Sequence, residues 1–302
     1  MRNIFLLFAG AFCILSACKN DATTSVGGTT YNVDQNKTID TDSESEKFEY
    51  SLGVLIGTTL KNGGLDSVNY GKVVQAFDDS EADQIVYSIA ADQARKLASE
   101  EFDLADLDKD IIVKGIYDVV DADTTLLNGL EVQQAYTNYL QSNQLKIGEA
   151  NLEAGKAFLE NNKNREGIQI AENGLQYILQ EEGTGEAITS NDVIEVHYTG
   201  TNIDGEEFDT TRDGEPYVID VAEPRSAVPG FMQALTLYPI GSKFQVFIPS
   251  NLGYGPQRLS PEVGPNSTLI FDVETVRKLD RTESKQYRDY VKQILQQQQP
   301  RR

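Results

Sequence analysis

The chain has 302 residues, 39% of them hydrophobic, with a formal net charge of −21, one histidine and two cysteines. A surface this acidic repels phosphate backbones and excludes nucleic-acid partners, and a mean hydropathy of −0.39 argues against a polytopic membrane protein. Cys13 and Cys18 both lie near the N-terminus and His197 stands alone, so the rest of the chain can build neither a disulfide framework nor a zinc cluster; no metal and no cofactor are expected.

Arg2 precedes an apolar run, Ile4 to Leu15, that is too short to span a bilayer comfortably. The run ends in Leu15-Ser16-Ala17-Cys18, which resembles a bacterial lipobox, where the cysteine is lipidated and heads the mature chain. The alternative is an ordinary secretory signal with an incidental cysteine. The lipobox implies a signal peptide over 1–17, lipidation at Cys18 and a protein anchored to a membrane without crossing it. Residues 18–46, rich in Asp, Thr, Ser, Gly and Asn, read as a flexible tether. Lys19 after the cysteine favours the outer membrane over inner-membrane retention, with the body facing the periplasm or the surface.

Residues 47–128 carry helical periodicity. An amphipathic segment from Tyr50 to Lys61 stops at Asn62-Gly63-Gly64, and a second runs from Tyr70 to Phe77. The pattern then echoes itself. Tyr87-Ser88-Ile89 follows Tyr50-Ser51-Leu52, Leu97 follows Leu60, Asp103 follows Asp66, and Ile112 to Ile116 follows Val73 to Phe77. Either this region is a duplicated helix–turn–helix unit or two amphipathic pairs are alike by chance. Residues 129–165 then read as one long helix, with Val132, Tyr136, Tyr139, Leu140, Ile147 and Phe158 on one side and Gly148 and Gly155 as weak points. At 1.5 Å per residue it would be about 50 Å long. It reads as a strut between modules, or as a long helix folded back on the bundle.

Past Glu172 the period changes from helix to strand. Leu175, Tyr177 and Leu179 alternate, as do Ile194, Val196 and Tyr198, then Phe244, Val246 and Ile248, then Leu269, Phe271 and Val273. These predict an antiparallel sheet with one apolar face, which the short amphipathic helix Gly230 to Leu235 could cover. The fold class is therefore α+β, and residues 280–302 add a terminal helix with a polar tail.

Residues 172–279 resemble an FKBP-type peptidyl-prolyl cis-trans isomerase domain. The resemblance rests on GLQY, VHYTG, DGEEFDTTR, VPGF, the GS and IP of GSKFQVFIP, GYG and NSTLIFDVE, which occur in family order with family-like gaps. The helical half resembles, more loosely, the N-terminal dimerisation domain of the macrophage infectivity potentiator type. The resemblance implies a hydrophobic cup. Tyr198, Phe208 and Phe271 would be aromatic walls, Asp209 the rim carboxylate and Tyr254 a hydroxyl donor; these form the catalytic set. Tyr217, Ala227, Val228 (through its backbone N–H), Phe231 as the floor, and Leu259 and Val263 on an overhanging loop would bind substrate. Several positions depart from the family pattern, Tyr217 among them, where phenylalanine is usual. Phe231 stands where tryptophan is usual, Glu262 occupies a usually apolar place, and Arg212 is out of register with the arginine that often follows the FD pair.

Such a cup needs no acid–base chemistry. Taken singly, Phe208, Phe231 and Phe271 fit a plain core, Asp209 fits a turn, and His197, on the strand face opposite Val196 and Tyr198, reads as structural. Together they imply an isomerase acting on proline-containing unfolded or exported polypeptides. The competing reading is a chaperone or binding module with a weak or vestigial pocket. The resemblance also admits a homodimer through the helical region.

Overall fold

A computed structural model describes residues 23–26, 29–65, 68–78, 85–99, 102 and 104–297. Cys18 and the signal peptide lie outside the described residues, as do Asp66 and Asp103 of the echo. The chain divides into two compact units, with the division inside one long helix at Tyr136/Thr137.

The first unit opens with an antiparallel hairpin, β1 (Thr23–Val26) and β2 (Thr29–Asn32). Four helices follow: α1 (Glu44–Asn62), α2 (Tyr70–Asp78), α3 (Ile85–Ser99) and α4 (Lys109–Val120). The first two turns of α5 (Gly129–Asn162) close the unit. Helix α1 begins ahead of the apolar segment because its start is polar. Ser43 Oγ accepts the Glu46 N–H, and Glu46 reaches back to the Asp40 N–H at 2.8 Å, a capping arrangement that composition alone reads as tether. Ile39 is buried with Tyr50, Val54, Ile111, Leu127 and Val132, so packed structure starts within the stretch expected to be flexible. The sparse apolar residues of 33–39 are enough to seat it.

Helix α1 packs along α4 at a crossing cleared by glycines. A Cβ on Gly53 would run into the Ile112 carbonyl oxygen, and one on Gly115 into the Tyr50 carbonyl oxygen. Backbones this close leave no room for side chains between them. A buried charged pair at this crossing is partnered across it: Lys114 Nζ lies 2.5 Å from Asp118 Oδ1, and Tyr50 donates to Asp118 Oδ2 at 2.9 Å.

The second unit holds a seven-stranded antiparallel sheet: β3 (Gln169–Ile170), β4 (Gln176–Glu181), β5 (Val193–Thr201), β6 (Glu207–Thr210), β7 (Tyr217–Asp220), β8 (Lys243–Ile248) and β9 (Leu269–Lys278). The spatial order is β3-β4-β8-β9-β5-β6, with β7 also pairing β5. Alternation puts Ile194, Val196, Phe244, Val246, Ile248, Leu269, Phe271 and Val273 in one core, against Phe231, Ala234 and Leu235 of the short helix α6 (Pro229–Ala234) and its C-cap. The sheet thus wraps a single helical turn and a half.

The part of α5 beyond Thr137 belongs to this unit and does not run free as a strut there. Phe158 packs on Phe247 with ring centroids 6.0 Å apart, and Asn162 donates to Gln176 at 2.9 Å. The terminal helix α7 (Arg281–Gln297) is pinned to β7 by Arg288, whose guanidinium holds both oxygens of Asp220 at 2.6 and 2.7 Å.

Candidate functional site

A cavity of about 430 Å³ opens at the concave side of the sheet, lined by Tyr198, Phe208, Asp209, Thr211, Tyr217, Ile219, Ser226, Ala227, Val228, Phe231, Tyr254 and Phe271. Strand β5 supplies Tyr198 and strand β9 supplies Phe271, with Phe271 directly opposite Gly200 of β5. Tyr217 and Ile219 share the inner face of β7 by alternation.

Phe208 and Asp209 are adjacent, so a regular strand would send them to opposite faces. A bulge solves this. Gly200 pairs with Asp209 and Thr201 with Glu207, which leaves Phe208 as the extra residue. Gly200 makes the bulge affordable in space: a Cβ there would sit 2.7 Å from Phe208 Cζ and 2.8 Å from Phe271 Cε1. The rings close edge to face. Centroids lie 4.8 Å apart for Phe231 and Phe271, 5.6 Å for Phe208 and Phe271, and 5.6 Å for Tyr198 and Phe231. Such T-shaped packing is favourable and leaves ring faces to line a rigid apolar wall.

Polar groups in this cavity are few and placed. Tyr198 donates to Asp209 Oδ2 at 2.6 Å. Burial, then the bond to Asp209, pushes the Tyr198 hydroxyl above the usual phenol range. Tyr254 is also raised, by burial and then by the Asp209 charge. Both hydroxyls therefore remain protonated donors at neutral pH. The Tyr198 backbone is clamped by Thr211, whose Oγ1 accepts the Tyr198 N–H at 2.9 Å and whose N–H donates to Tyr198 O at 3.0 Å. Tyr254 sits in a tight turn closed by the Gly255 N–H to Ser250 O bond at 3.0 Å, with Gly255 in the left-handed region at φ 59°. Val228 is the N-cap residue of α6 and has no side-chain cap.

Nine of the eleven residues singled out in the sequence meet at this cavity. The two loop residues do not line it. Leu259 is 52% exposed, while Val263 is fully buried in the core beneath the loop, turned inward by its bridge to Ser260 and by the Leu259 N–H to Val263 O bond. Three lining residues were not foreseen: Thr211, Ile219 and Ser226. Ile219 was detectable as the i+2 neighbour of Tyr217. His197 faces away and contacts Thr211 O through Nδ1 at 3.2 Å. Arg212 pairs with Glu274 at 3.0 Å. Among the described residues no cluster of His, Cys, Asp and Glu could hold a metal ion.

Comparison with known proteins agrees with this geometry. Residues 184–276 match the family described as FKBP-type peptidyl-prolyl cis-trans isomerase, and residues 82–179 match the domain amino terminal to it. The chain is 33% identical over 205 residues to "Outer membrane protein MIP" of Legionella longbeachae, covering 65% of this chain and 85% of that one. It is 31% identical over 202 residues to a probable FKBP-type peptidyl-prolyl cis-trans isomerase FkpA of Neisseria meningitidis serogroup B, covering 64% and 73%. Among solved structures it is similar to FkpA from Escherichia coli, with a TM-score of 0.50 at 31% identity over 64% of this chain and 93% of that one.

Proposed function

This chain belongs to the FKBP-type peptidyl-prolyl cis-trans isomerase family, in its Mip and FkpA branch, and from that premise we propose how its cavity turns proline bonds in exported polypeptides. The observation that carries the reading is the ring-walled cavity with only a few fixed hydrogen-bonding groups.

Rotation about an X–Pro bond has a barrier of about 18–20 kcal/mol because amide resonance is lost at the twisted midpoint. The twisted amide is less polar than the planar one, so an apolar site favours it relative to water. Phe231 and Phe271 form the floor and one wall against which the pyrrolidine ring seats, with Tyr198 and Phe208 beside them. The Val228 N–H or the Tyr254 hydroxyl holds a substrate carbonyl while the other half of the amide rotates. Asp209 fixes Tyr198, and the bulge holds Asp209. Binding the twisted form more tightly than the planar forms accelerates exchange with no covalent step and no proton transfer. An assay of proline-limited isomerisation in short peptides tests this: a folded chain with no rate above background would remove it.

The cell envelope is the proposed location. The apolar leader ending at Cys18 and the relative named as an outer membrane protein support it, and lipid anchoring at Cys18 in the outer membrane is the finer form. No described helix is long and apolar enough to cross a membrane. Mass spectrometry of the membrane fraction, seeking a diacylated N-terminal Cys18, tests the anchor.

The helical unit reads as a duplicated pair. In the echo Gly53 and Gly57 of α1 correspond to Ala90 and Ala94 of α3, and Gly115 of α4 to Ala76 of α2, and all six positions are buried. The match to the amino-terminal family domain begins at residue 82, after α2. Self-association would have to use outer faces, since Phe48, Tyr50, Leu52 and Ile116 are buried within one chain. Light scattering of a non-lipidated chain decides: a dimer mass supports a homodimer, and a clean monomer at high concentration refutes it.

A further inference from the structure

One face of α5 is built to receive the strap that follows Tyr254. Gln144, Gly148, Asn151 and Gly155 are spaced by four, three and four residues, which stacks them on one side of the helix. Each meets the segment 255–268. Arg258 Nε donates to Gln144 Oε1 at 3.4 Å, Asn266 Nδ2 to Gly148 O at 3.1 Å, and Asn151 Nδ2 to Pro265 O at 2.9 Å. Thr268, only 4% exposed, sits on Gly155 so closely that a Cβ there would collide with its Oγ1.

The two glycines weaken α5 as a helix, and no turn requires them. Their role is clearance: a Cβ on Gly148 would lie 3.1 Å from Asn266 Nδ2 and 3.2 Å from Pro265 Cβ. Asn266 is held in the left-handed region, at φ 57°, where asparagine is among the few tolerated side chains. In that conformation its N–H donates to Gly255 O at 2.7 Å, next to Tyr254. From Thr268 the chain enters β9, which carries Phe271.

We propose that this face of α5 is a positioning element for the isomerase cavity: it fixes the strap 255–268, and through the strap the turn that presents Tyr254 and the loop that carries Leu259. The proposal rests on the isomerase reading and adds to it that α5 sets substrate affinity and the preference for the residue before proline. Gln144, Gly148, Asn151 and Gly155 touch no substrate and act through the strap.

The test uses the whole chain with Gly155→Ala, Asn151→Ala, Thr268→Ala and the double variant Gly155→Ala/Thr268→Ala. Alanine is the better helix former, so Gly155→Ala strengthens α5 while pushing the strap away. KM and kcat are measured separately over peptides that differ before proline, with hydrogen exchange of the strap amides alongside. The expected result for Gly155→Ala is a KM raised about three- to tenfold with kcat changed less, an altered preference series and faster strap exchange. Asn151→Ala, which needs no repacking, should move the same readouts in the same direction. Removing Oγ1 in the double variant should restore most of the affinity. Wild-type kinetics and exchange in Gly155→Ala and Asn151→Ala would overturn the proposal, and so would a fall in kcat at constant KM that the double variant does not rescue. An inactive wild-type chain would instead remove the isomerase reading, with the exchange arm still deciding whether α5 holds the strap.

Discussion

Tyr198 and Asp209, on neighbouring antiparallel strands, are joined by a 2.6 Å hydrogen bond from the phenol to Oδ2 at the wall of the cavity. A bond to a charged acceptor contributes roughly 1.5–3 kcal/mol. Here it orients a ring that also packs against Phe231 and Phe271. Tyr198→Phe and Asp209→Ala should each lower kcat/KM by about tenfold with far-UV spectra unchanged. The double variant should lose little more than either single one, because both remove the same bond. Fully additive losses would show that the two groups act separately.

Tyr254→Phe removes the hydroxyl placed to hold the substrate carbonyl and should also lower kcat/KM. Burial raises both phenols, and no titrating base is invoked. The rate of the wild-type chain should therefore be level from about pH 6 to pH 9. A bell-shaped profile across that range would mean that a proton transfer has been overlooked.

Gly200→Ala probes the bulge. Its methyl would press on Phe208 and Phe271 together, and overpacking of this kind costs about 1–3 kcal/mol. The thermal midpoint of the second unit should fall, and the cavity should narrow, with KM rising. An unchanged midpoint would show that the two rings can yield.

Gly53→Ala and Gly115→Ala place a methyl against backbone at the α1–α4 crossing, where no side chain can swing aside. Each should destabilise the helical unit by about 1–3 kcal/mol or more in denaturant unfolding. Peptide isomerisation should be largely retained, since the cavity is lined by residues of the other unit alone. Loss of that activity in a folded variant would show that the helical unit takes part in the reaction.

Glu49, 5% exposed on α1, has its carboxyl pushed up to about 7 from an ordinary value near 4.5, chiefly by burial and further by the Asp108 and Glu46 charges. Its acceptor contact with the Asp108 N–H at 3.2 Å and the Lys37 charge pull the other way. The folded state thus holds this proton more tightly than the unfolded state. The group's contribution is fully present below about pH 4.5 and is lost as pH rises through about 7. Glu49→Gln keeps an acceptor for Asp108 and removes the titration. It should stabilise the helical unit at pH 8 relative to wild type by on the order of 1–3 kcal/mol, with the gain shrinking toward pH 5. A gain that does not vary with pH would assign the effect to something other than this carboxyl.

The strands that alternate cleanly, such as Ile194, Val196 and Tyr198, were legible in the residues alone, because burial of one sheet face writes a period of two into the chain. So were the ring-rich motifs in their order, and with them nine residues of the cavity, since the family pattern ties those residue types to one site. Helix α1 was legible in its apolar middle and not at its start, where Ser43 and Glu46 cap the helix with residues that composition assigns to a tether. The rest follows from pairing and packing between parts of the folded chain. Neighbours Phe208 and Asp209 face one cavity because a bulge breaks the alternation, and a bulge is a property of strand pairing. Val263 turns into the core, away from the cavity, because of a bridge to Ser260. Gly148 and Gly155 look like flaws in a helix until Asn266 and Thr268 are seen against them, contacts more than a hundred residues away in the chain that no local pattern could announce.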